Sequence, residues 1–232
     1  MELPAQPISA QEFFERFLPK AFAEGELPSG VERIDLKLGV SLEGEGGGEW
    51  LFHLKNGSIS IEPGSREEAA VSLRQSVADW RGALWERRGG AFGQQAAALF
   101  QQGALSAGGA LGAASAAALQ PAVLSQLQGL DGEIRMVVTG GEGGDWALAL
   151  KLGPGVFPDE PSTTISVTAE DAEAMGRGEL DPLQAFMAGR IQVAGDMALM
   201  MQVQAIQMQA AHAAQAATTP SVGSSSESGP AD

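Results

Sequence analysis

From Trp50 to Lys55 the chain alternates. Trp50, Phe52 and Leu54 fall on one side of an extended strand, and Leu51, His53 and Lys55 on the other. The pattern then returns. Glu49-Trp50-Leu51-Phe52-His53-Leu54-Lys55-Asn56-Gly57 reappears 96 residues later as Asp145-Trp146-Ala147-Leu148-Ala149-Leu150-Lys151-Leu152-Gly153. Upstream, Asp35-Leu36-Lys37-Leu38-Gly39-Val40 matches Glu133-Ile134-Arg135-Met136-Val137-Val138 at an offset of 98. Downstream, Val71-Ser72-Leu73 matches Ile165-Ser166-Val167 at an offset of 94. A period this long exceeds a solenoid unit, so the sequence predicts two domain-sized copies.

Other elements follow from the same patterning. Ser9-Ala10-Gln11-Glu12 has capping-box form, and Phe13, Phe14, Phe17, Leu18 and Ala21 follow at helical spacing, predicting a helix over 10–23. Strands are expected over 34–42, 50–55, 58–61 and 70–73, then helices over 77–88 and 93–102. The second copy repeats the order, with strands at 133–138, 146–152, 155–157 and 163–168 and a helix at 169–176. Asp181-Pro182 opens a short helix, with Asp at the cap and Pro at the first helical position. A strand at 190–193 and a long helix beginning at Met197 close the pattern.

In that last helix Met197, Met201, Ala205 and Met208 form one apolar stripe. Leu199, Val203, Ile206 and Ala210 form a second, on nearly the opposite side. A surface helix needs one apolar face. Two imply apolar company on both flanks: the sheet on one, and a bound lipid, the other copy or a partner subunit on the other. Six of the eight methionines lie between Met175 and Met208, and methionine suits irregular apolar surfaces.

Composition narrows the function. A net charge of −15 opposes binding to nucleic acid or to anionic membranes. No segment reaches the roughly 20 apolar residues of a membrane span, so no stable membrane insertion is expected. With no basic, apolar leader pattern at the start, a soluble, cytoplasmic protein is expected. The absence of cysteine removes thiolate chemistry. His53 and His212 lack neighbours at metal spacing, and no Gly-x-Ser-x-Gly elbow is present. The Gly-rich segments 44–48 and 140–144 join strands and each carry a Glu, so they read as hairpin turns, not phosphate loops. Neither a cofactor, a metal nor an enzymatic role is expected.

The segment Leu183-Gln184-Ala185-Phe186-Met187-Ala188-Gly189-Arg190-Ile191-Gln192-Val193-Ala194-Gly195-Asp196-Met197 resembles the closing signature of the sterol-carrier-protein type 2 family. The resemblance covers about 133–210. It implies an α+β fold whose mainly antiparallel sheet of about five strands is covered by helices beside an apolar tunnel. Leu99 to Leu111 aligns on Ala185 to Met197 without its basic residue, cap and bulky apolar positions. The expected organisation is therefore two such units: a degenerate one over 1–119, a lipid-binding one over 120–217, and a disordered tail over 218–232. The resemblance implies non-catalytic binding or carriage of a fatty acyl, sterol or isoprenoid lipid. Residues assigned to the tunnel are Phe157, Met175, Phe186, Met187, Ile191, Met197, Met200, Met201 and Met208, with Arg190 at the head group. The alternative is an accessory module with a filled core, a homodimer or the partner of a lipid or quinone biosynthetic enzyme.

Overall fold

A computed structural model describes residues 3–24, 35–56, 58–101, 126 and 129–218. The fold is mixed α+β. Eight strands form one sheet: β1 (Asp35–Glu43), β2 (Gly48–Lys55), β3 (Ser58–Pro63), β4 (Val71–Ser76), β5 (Gly132–Thr139), β6 (Trp146–Leu152), β7 (Thr163–Thr168) and β8 (Ile191–Gly195). Their order is β3-β2-β1-β4-β6-β5-β7-β8. The helices are α1 (Ala10–Glu12), continued through a π-helical turn at Phe13–Phe17 into α2 (Leu18–Glu24), then α3 (Val77–Trp85), α4 (Gly90–Gln101), α5 (Ala169–Gly176), α6 (Pro182–Met187) and α7 (Met197–Thr218).

The two expected units, each with a sheet of about five strands, share one sheet through the seam between β4 and β6. These strands pair antiparallel from Val71 opposite Leu152 to Arg74 opposite Ala149, joining both halves edge to edge. Edge strands offer unpaired N–H and C=O groups, and each half here satisfies the other's edge. The expected boundary at 119/120 lies outside the described residues, as do the first copy's closing segment beyond Gln101 and the tail from residue 219.

The ladders repeat in register. Leu38 sits between Phe52 and Val71, and Met136 sits between Leu148 and Ile165, at the offsets read from the sequence. In both halves an antiparallel hairpin is followed by a parallel strand, and that strand leads into a capped helix. Ser76 caps α3 by accepting from the Asp79 amide, and Thr168 caps α5 by accepting from the Asp171 amide. One expected strand is absent: residues 155–157 are irregular. Gly155 has φ of 99°, and Pro154 and Pro158 supply no amide donors to a ladder.

Side chains opposite one another across the ladders share a face. On one face lie Trp50, Val40, Leu73, Ile134, Leu148, Trp146, Val138 and Val167, all buried. Helices α1 to α5 cover its upper part, where Phe13, Phe14, Trp80, Ala97 and Ala172 complete the main core. α7 covers a lower part through Leu199, in a smaller cluster with Ile134 and Leu152. The other face is polar and laced with ion pairs. The Glu133 carboxylate there is fully buried and accepts two hydrogen bonds from Arg74 Nη2 at 3.2 and 3.3 Å. That contact crosses from the first half to the second.

Candidate functional site

Between the two apolar clusters, the described residues cover the same sheet face incompletely. Reading the ladders in order, half-buried side chains run obliquely across seven strands: Phe52 on β2, Leu38 on β1, Val71 on β4, Leu150 on β6, Met136 on β5, Ile165 on β7 and Val193 on β8. Phe52, Leu38 and Val71 are direct cross-strand neighbours, as are Met136, Ile165 and Val193. Leu150 links the two trios diagonally, opposite Leu73 and Ile134. Six interstrand spacings make this band roughly 30 Å long. All seven residues are apolar, and each retains some contact with solvent.

Three of the residues assigned from sequence border the band. Met175 on α5 and Ile191 on β8 pack against the upper cluster, and Met200 on α7 packs against the lower one. The others do not. Phe157 lies on the opposite, polar face, with its ring centre 4.3 Å from the Arg74 guanidinium and 5.0 Å from that of Arg66. It is a cation–π anchor, which corrects its assignment to an apolar tunnel. Burial, with Arg74 close by, draws the Arg66 guanidinium below its ordinary pKa.

The Met stripe of α7 also requires correction. Leu199 and Val203 of the second stripe meet the sheet and Ile206 of that stripe is buried, whereas Met197, Met201 and Met208 point outward, with Met201 61% exposed. A ligand placed between the sheet and the Met197–Met208 stripe is therefore incompatible with this helix orientation. Asp196 sets that orientation: its Oδ1 accepts from the amides of Ala198 and Leu199 at 2.8 and 3.1 Å, capping α7. On α6, Leu183, Phe186 and Met187 likewise face outward, while Ala185 is buried.

Arg190 has a partner already. Its Nη2 lies 2.8 Å from Asp171 Oδ1, and the Asp171 side chain is nearly buried at the first turn of α5. The pair ties the start of β8 to the helical layer, so Arg190 positions an element rather than standing free for a head group. What sequence reasoning missed was the band itself. Its signal was present in the internal repeat, since Leu38 and Met136 are equivalent positions, as are Val71 and Ile165.

The band and the helices that flank it make up the candidate site of this α+β protein. Residues 111–208 match the model of the SCP-2 sterol transfer family. Among curated proteins, hydroxysteroid dehydrogenase-like protein 2 of Xenopus tropicalis is 38% identical over 80 residues, which is 32% of this chain and 19% of that protein. Sterol carrier protein 2 of Rattus norvegicus is 35% identical over 74 residues, 30% of this chain and 14% of that protein. The chain thus spans a fifth or less of the length of the curated relatives it matches. The solution structure of the sterol carrier protein domain 2 of Helicoverpa armigera covers 42% of this chain and 80% of its own, at 24% identity and a TM-score of 0.31. Among the described residues no helix is long and apolar enough to cross a membrane.

Proposed function

We propose that this chain binds a single-chain lipid, such as a fatty acyl or isoprenoid molecule, along the oblique band from Phe52 to Val193, and carries it as a soluble cytoplasmic protein. The observation that carries this reading is the band: seven apolar side chains, aligned across seven strands, each partly exposed. Burial is worth about 0.8 kcal/mol per methylene. Affinity then comes from chain length without polar contacts, in keeping with an apolar strip whose neighbouring cation, Arg190, is occupied by Asp171. The family of residues 111–208 supports a lipid ligand, and the matched ladder registers support a common origin for the two halves.

The test is displacement of a fluorescent fatty acid, together with native mass spectrometry of the purified chain. Ile165→Asp and Met136→Asp should each lower uptake at least about tenfold, since either places a carboxylate in an apolar strip. Met201→Asp should leave uptake unchanged, because that side chain faces away from the band. Loss on Met201→Asp with retention on Ile165→Asp would sink the proposal.

A second reading has its own observation. The outward-facing Leu183, Phe186 and Met187 favour a docking role for the α6 region alongside ligand binding.

A further inference from the structure

The sheet has two ends, and they are finished differently. At one, β3 carries Glu62 and ends in Pro63, both devices that discourage further strand pairing. At the other, β8 reads Ile191-Gln192-Val193-Ala194-Gly195, with neither a charge nor a proline, and Gln192, Ala194 and Gly195 are exposed. Asp196 N–H donates to Ser162 O at 2.8 Å. Antiparallel alternation from that point turns the 192 and 194 amides toward β7 and leaves those of Ile191, Val193 and Gly195 on the open side.

Exposed apolar side chains flank this edge at both ends. Before β8 stand Phe186 and Met187, the latter 78% exposed. After it stand Met197 and Met201. From Ile191 to Thr218 the only formally charged side chain is Asp196, which caps α7, whereas the whole chain carries −15. Two copies repel one another over most approaches, and least along this edge.

We propose that β8 pairs antiparallel with β8 of a second copy of this chain, about a dyad at Val193 perpendicular to the sheet. The symmetry is specific. It sets Gln192 opposite Ala194 of the second copy and Ile191 opposite its Gly195, with both apolar faces on the same side. It also brings the end of one β8 beside the start of the other, so that Met197 of each copy meets the Phe186–Met187 region of its mate, as a self-complementary interface requires. A half-turn leaves an oblique line parallel to itself. The two apolar bands therefore meet at Val193 and continue as one strip, to which each copy contributes half. The pairing does not depend on lipid being the occupant of that strip.

The experiment is sedimentation equilibrium on the full chain, which should give twice 23.9 kDa. A variant carrying both Gln192→Glu and Ala194→Glu places like charges opposite each other on the polar face, and should sediment as a monomer with unchanged circular dichroism. Gln192→Lys with Ala194→Lys should do the same alone, and mixing the two variants should restore the dimer, which a folding defect cannot mimic. Fatty-acid uptake by the monomeric variants reports separately on the ligand proposal. A monomeric native chain, or a dimer indifferent to both charge variants, would overturn the inference. So would a monomer that floats with phosphatidylcholine vesicles through Met187 and Met201, since those side chains would then serve a lipid surface.

Discussion

The two halves of the sheet share a ladder plan and differ in how their apolar face is closed. In the first half aromatic rings close it. Phe14 stacks on Trp50 at 4.4 Å, and Phe13 meets Trp80 and Trp85 edge-on at 5.2 and 6.0 Å. In the second half Trp146 occupies the position equivalent to Trp50, and its indole N–H donates to Asp79 O at 3.0 Å, reaching into the first half's helix α3. Beyond Trp146 the second half is closed by aliphatic residues, with Met136, Leu150, Ile165 and Val193 only partly covered. Rigid rings fix a core, while flexible thioethers leave a surface that adapts. The difference assigns stability chiefly to one half and adaptability to the other.

That contrast can be broken at graded cost. Phe14→Ala should destabilise the protein by about 3–5 kcal/mol in urea denaturation, because it removes a ring from a closed aromatic cluster. Met201→Ala, on the open side, should change stability by less than about 0.5 kcal/mol. Equal losses at both positions would erase the distinction. Arg74→Leu should cost on the order of 3 kcal/mol by leaving the Glu133 carboxylate buried without its cation, and Arg74→Leu with Glu133→Leu should recover most of that loss. Ser76→Ala and Thr168→Ala should each cost about 1 kcal/mol. Similar values would show that the two caps are equivalent even where the cores are not.

The smallest effect is expected on the acid side. Hydrogen bonds from Lys55, then His53, hold the exposed Asp35 carboxyl below its ordinary 3.8. Its folded-state pKa is depressed, so its contribution is present above the unfolded value and fades as pH falls through the folded one. Asp35→Asn should therefore flatten a slight decline in melting temperature below about pH 4.

Much of this architecture was legible in the chain. Strands 146–152 and 163–168 and helix 169–176 have the bounds that alternation and capping indicate. The repeat also set the correct equivalences of ladder register. Pairing between β4 and β6 was not legible, because it joins segments 75 or more residues apart through backbone groups alone. Nor did periodicity decide which stripe of α7 meets the sheet. Two apolar stripes separated by half a turn are equivalent on a helical wheel, and the Asp196 cap with Leu199 against Ile134 and Leu152 breaks the tie. The surroundings of Phe157 were not legible either, because the Arg66 and Arg74 guanidinium groups beside its ring are distant in sequence.

The seam from Val71 to Arg74 has one more consequence. It is only four residue pairs wide, yet every route by which one half opens fully must strip the backbone of the other. Amide hydrogens along 71–74 and 149–152 should then exchange with solvent at a common, slow rate set by complete unfolding. A ligand lying across Val71 and Leu150 would slow them together, so this narrow strip reports on occupancy from both directions at once.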